Sequence, residues 1–204
     1  MDGAIHVRGA SRERFLGLIV ARLETEGFEM TEANAAEDDN GVGPSERVRP
    51  ASSSRPTLRR LIVNRSGRWL AMSEHAIDVE TWAIYLSRAL ETSVLCVVGS
   101  QDRSSHARLI RFTLGQPSET LDIPADLARD KNGRFLLPCS VLDPWLAPGG
   151  RPARMKHIVL TPETSSTADI LEAIAETIEL PRLWIDANEA DSEAGDLELD
   201  FTRP

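Results

Sequence analysis

Four side chains stand where a fold could gather them for proton chemistry. Glu74 and His75 follow an expected strand directly, and Asp102 and Arg103 follow a second, with His106 just beyond. A carboxylate that holds an imidazole beside a guanidinium is a workable acid/base grouping, provided the two loops meet. The ordinary alternative is a pair of hydrogen-bonding loops without chemistry. Other reactions have less to stand on. No G-x-S-x-G elbow and no phosphate-cradling glycine motif occurs, and Gly41-Val42-Gly43-Pro44 falls in a loop instead of after a strand. Cys96 lies in the apolar run SVLCVV, where burial suppresses thiolate formation, and Cys139 sits in LLPCSV. Both read as reduced, buried thiols, with a disulfide as the alternative. His6, His75, His106 and His157 are scattered, so no metal and no other cofactor is expected.

Those loops need a scaffold, and the best-defined scaffold runs from Leu58 to Gly99. Leu58, Leu61 and Val63, with Ile62 interleaved, predict a strand covered on both faces. Asn64 to Gly67 supply turn residues, and Trp69 to Met72 return as a second strand. Asp78 is placed to cap a helix whose apolar positions are Val79, Trp82, Ala83, Leu86, Ala89 and Leu90. Val94 to Val98 form a continuous apolar run, as a strand buried on both faces requires. Trp69 reads as a core aromatic, or, if exposed, as a binding hot spot.

Around this centre the pattern repeats. Residues 4–31 predict strand, helix and strand: Ser11 caps, Phe15, Ile19 and Leu23 recur on one stripe, Gly27 ends the helix, and Phe28 and Met30 alternate with polar neighbours. Residues 157–185 predict another such unit, with Ser166 or Thr167 capping a helix that carries Ile170, Leu171, Ile174 and Ile178, and Leu183 to Ile185 as its second strand. Between these units, His106 to Leu114 alternates, Gly115-Gln116-Pro117 turns, and Glu119 to Ile123 adds a strand. The expected fold class is α+β, a mixed, mostly antiparallel sheet with three amphipathic helices packed mainly on one face. One domain is expected over 1–186, with a flexible insertion at 34–57, and an acidic, partly disordered tail over 187–204. The tail reading rests on seven acids and no base between Asp186 and Asp200.

Composition bounds the partners. The 204 residues carry a net charge of −9, which argues against general nucleic-acid binding. No apolar run is long enough to cross a bilayer, and the start MDGAIHVRG lacks the basic and apolar regions of a signal peptide. A cytoplasmic protein without a membrane partner is expected. Arginine supplies 21 of the 23 cationic residues, a bias that fits a GC-rich bacterial genome. Seven of those arginines lie between Glu46 and Arg68, where they form either an anionic-partner site or a solvated arm paired with the chain's own acids.

The run GRWLAMSE, the following helix with WAIYLSRAL, the TSVL strand start and the opening IHVRGASRERFLGLIVARLETEGF together resemble a loosely defined group of small bacterial cytosolic proteins. Some members look like immunity proteins that neutralise polymorphic or secreted toxins. The resemblance covers about residues 4–31 and 58–123. Those look-alikes tend to carry paired aspartates where this chain has Asp102 followed by Arg103-Ser104-Ser105, so no residue role is carried over. The resemblance implies a non-enzymatic protein-binding module, with a basic protein such as a toxin as partner. The alternative is a small-ligand-binding domain or enzyme using the loops at 73–78 and 100–106. Glu74, His75, Asp102, Arg103 and Trp69 are the residues expected to bind in either case.

Overall fold

The computed structural model describes residues 2–35, 57–74, 79–99, 106–146, 157–161, 166–180 and 196–203. Eleven strands and three helices follow in the order β1 (Asp2–Arg8), α1 (Arg12–Thr25), β2 (Glu29–Ala35), β3 (Thr57–Ser66), β4 (Trp69–Glu74), α2 (Val79–Ala89), β5 (Val94–Gly99), β6 (Ala107–Thr113), β7 (Gln116–Ile123), β8 (Ala128–Arg129), β9 (Phe135–Pro138), β10 (His157–Val159), α3 (Thr167–Thr177) and β11 (Asp196–Arg203). Eight strands form one sheet in the order β2-β11-β3-β4-β1-β5-β6-β7, and β10-β9-β8 form a small second sheet. The class is α+β, and every strand pair among the described residues is antiparallel.

Alternation along the strands divides the core in two. On β5, Val94 and Cys96 join the cluster under α1 and α2, while Leu95 and Val97 join the cluster under α3 and the small sheet. Successive strand residues point to opposite faces, so the large sheet is covered on both. Helices α1 and α2 share one face through Phe15, Ile19, Leu23, Trp82 and Leu86, and α3 packs on the other through Ile170 and Ile174. β3 is buried on both sides as expected, with Leu61 and Val63 facing α1 and Ile62 facing away beside Ala71.

Local signals hold at the helix starts. Ser11 Oγ accepts from the Arg14 N–H, and Ser166 forms a capping box with Asp169. Gly27 ends α1 at φ 82°. The expected Asp78 cap, the 36–56 part of the insertion, the 100–105 loop and the strand at 183–185 lie outside the described residues.

Three expectations need correction. The turn between β6 and β7 is Leu114-Gly115, with φ of 52° and 79°, and β7 already starts at Gln116. Met30 is 49% exposed, because its strand β2 is the edge of the sheet. Most consequential, Asp196–Arg203 is no solvated tail: it is β11, hydrogen-bonded between β2 and β3. Leu199 and Phe201 face the α1–α2 core, while Glu198 and Asp200 point to the opposite face and pair with Arg60. Three of the seven acids that suggested solvent exposure, Asp196, Glu198 and Asp200, therefore occupy every second position of a strand.

Candidate functional site

The sheet order brings the two expected loops to one place. β4 and β5 both run antiparallel to β1, with Ser73 opposite Ala4 and Gly99 opposite Asp2. They are therefore parallel to each other, and their C-terminal ends leave the same end of the sheet, one strand apart. α2 makes the crossover between them. It starts close against the sheet because β1 has no side chain at Gly3. A Cβ there would lie 2.6 Å from Val79 Cγ2 and 3.0 Å from the Val97 carbonyl oxygen. Glu74 is the last residue of β4, opposite Leu61 on β3. His75, Asp102 and Arg103 lie outside the described residues, as does the His75–Asp102 separation on which acid/base chemistry would turn.

Around these exits the described polar side chains form one grouping. Arg108 on β6 is paired in register with Asp122 on β7. Its guanidinium donates through Nε to Asp122 Oδ1 at 2.6 Å and through Nη2 to Oδ2 at 3.2 Å. Asp126 closes the turn behind it, its Oδ2 accepting from the Asp122 N–H at 2.8 Å. His106, the first described residue after the 100–105 loop, places Nε2 3.8 Å from Asp122 Oδ1. Glu80, two residues past the other loop, lies within the electrostatic reach of Arg108. The Arg108 hydrogen bond holds the Asp122 carboxyl below its ordinary value; partial desolvation opposes this, and the charges of Arg108 and His106 add to it. Asp122 in turn raises the Arg108 guanidinium further. Asp122 is thus a fixed anion in a two-pronged fork, and His106 is beyond hydrogen-bond length from it. Three carboxylates around one guanidinium and one imidazole leave the grouping acidic, with two of its members next to the two loops.

Trp69 is not part of it. It is 2% exposed and stands at the first position of β4, opposite Arg8, at the other end of the sheet. Its ring lies 6.0 Å from that of Trp145 and 6.5 Å from that of His6, inside the layer beneath α3. Of the two readings of Trp69, core aromatic or exposed hot spot, the burial matches the first, because Trp145 and the α3 layer cover that face. Sequence reasoning missed Glu80, Asp122 and Asp126. The expected hairpin through 106–123 holds both Arg108 and Asp122, but a turn placed at 115–117 hides that the two stand directly across from one another.

No group of three potential metal-ligating side chains occurs among the described residues. Cys96 and Cys139 are both buried and unbonded to each other. Burial pushes the Cys139 thiol up, and the Asp143 charge adds to this, away from nucleophile character. No helix among the described residues is long and apolar enough to cross a membrane. A described cleft of about 380 Å³ opens at the opposite end of the sheet, between the start of α1 and the end of α2. No family model matches this chain, and no curated protein and no solved structure matches it.

Proposed function

We propose that this protein is a non-enzymatic binding module for a basic protein partner, in the manner of an immunity protein that masks a toxin's active site. The observation that carries the reading is the acidic grouping of Glu80, Asp122 and Asp126 beside the exits of β4 and β5. Carboxylates held in place on a rigid sheet end steer a cationic partner and fix its register. The net charge of −9 adds a long-range attraction of the same sign. The resemblance to immunity proteins points the same way.

The test is co-purification with the product of the adjacent gene, followed by titration calorimetry of the purified pair. A basic partner should bind, and Glu80→Gln with Asp126→Asn should weaken it by about tenfold, mainly through a slower association rate. Binding unchanged by that double variant refutes the assigned surface, and an adjacent metabolic gene whose product does not bind counts against the function. A second reading, a small-ligand domain or enzyme at the same exits, rests on His106 standing beside Asp122. A metabolite that raises the unfolding midpoint of the wild type but not of His106→Ala would favour it.

A further inference from the structure

The end of the sheet opposite those exits has the reverse charge. Arg8 ends β1, Arg12 and Arg14 lie in the first turn of α1, Arg65 and Arg68 border the β3–β4 turn, and Arg88 lies in the last turn of α2. The register places them together. Arg8 is opposite Trp69, the Gly9 N–H donates to the Arg68 carbonyl, and Arg14 Nη2 donates to the Ala89 carbonyl. Against these six arginines this end sets Glu13, Glu91, Glu179 and, opposite Asn64 at the start of β11, Asp196; Glu179 is already paired with Arg8 at 3.2 Å. Among the described side chains no carboxylate pairs with Arg12, Arg65, Arg68 or Arg88. In a chain of net charge −9, this is a local inversion.

The same end presents an apolar residue in an uncommon conformation. Leu114 has φ 52° and is 60% exposed at the tip of the β6–β7 hairpin. Leucine reaches that backbone region only at a cost, and asparagine or glycine is the usual occupant. The tip is held rigid: the Gly115 N–H donates to the buried Ser87 Oγ at 2.9 Å, and Arg88 lies across Gly115. A strained, exposed leucine on a fixed tip beside Arg88, at the sheet end that also carries the other arginines and the cleft, has the make-up of a protein interface. Nucleic acid fits less well, since Trp69 and Trp145 are both buried and offer no stacking platform.

We propose that this arginine-rimmed end is a second docking surface, which takes an acidic protein segment carrying an apolar residue seated on Leu114. It is independent of the acidic surface assigned above and of the partner proposed there.

The test uses the full chain and a short fluorescein-labelled peptide alternating glutamate and leucine, read by anisotropy. The peptide should bind, more weakly as salt rises, and Arg12→Ala with Arg65→Ala and Arg68→Ala should weaken it about tenfold. Leu114→Asn separates contact from fold: it should raise the unfolding midpoint while weakening the peptide about fivefold. Glu80→Gln with Asp126→Asn should leave peptide binding unchanged. Equal binding to the triple arginine variant overturns the proposal, as does undiminished binding to Leu114→Asn. Tighter binding of a short DNA duplex would overturn it in favour of nucleic acid. Binding seen only after Asp186, Glu189, Asp191 and Glu193 are changed to their amides would overturn it in favour of the chain's own acids.

Discussion

Phe201→Ala tests the least expected element of the fold. Phe201 is fully buried and sits on β11, between β2 and β3, facing α1 and α2. Truncating a fully buried phenylalanine costs about 3–5 kcal/mol through lost transfer energy and the cavity left behind. In a chain of 204 residues each kcal/mol lowers the midpoint by about 2–4 °C, so a fall of about 6–20 °C is expected. Urea unfolding followed by far-UV circular dichroism measures the same quantity. The midpoint concentration should fall with an unchanged slope, since the surface exposed on unfolding is the same. Thr202→Ala, on the adjacent and opposite-facing position, is the control and should stay within about 0.5 kcal/mol of wild type. A Phe201→Ala loss no larger than that of the control would refute the placement of β11, and with it the assignment of β2 to the sheet.

Other expectations follow from the same packing. Gly3→Ala should destabilise by about 1–3 kcal/mol, because the new methyl meets Val79 Cγ2 at 2.6 Å and the Val97 carbonyl behind it. Thermal unfolding reads this, and an unchanged midpoint would show that α2 does not sit where described. Ser166→Ala removes one half of the capping box on α3 and should cost about 1 kcal/mol by urea titration. Glu26 gives a pH dependence. Burial pushes its carboxyl up, but the hydrogen bonds and charges of Arg22 and Arg59 outweigh this and leave it below its ordinary 4.5. Its contribution is therefore present above that value and is lost as the pH falls below it. Glu26→Gln should flatten the acid side of the stability–pH curve, and an unaltered acid limb would exclude Glu26 as its source.

Local order was the easiest part of the fold to read from the residues. α2 and β5 follow from a helical stripe and a continuous apolar run, and their burial matches both. β11 was hidden because its acids dominate its composition, although Leu197, Leu199 and Phe201 keep a strict alternation. The β6–β7 turn was misplaced because a leucine at positive φ contradicts turn statistics, so the nearby Gly-Gln-Pro drew the assignment. Helical periodicity names the buried stripe of α3 but cannot say which face of a sheet it covers. That choice depends on β9 and Trp145, which lie far from it in the chain. The candidate site shows the same division. The common end of the β4 and β5 exits follows from strand order, while Glu80, Asp122 and Asp126 became visible only once β6 and β7 were in register.

The position of β11 also sets a schedule for synthesis. β2 has only β11 as a sheet neighbour, and the bond from Thr31 Oγ1 to the Asp200 carbonyl spans 169 residues. At ribosomal rates of about 5–20 residues per second, β2 waits roughly 10–30 s after it emerges before its partner exists. Through that interval both of its edges can template pairing with another nascent chain. The charge of the exposed Glu29 then acts as a guard, repelling a second acidic copy until β11 arrives.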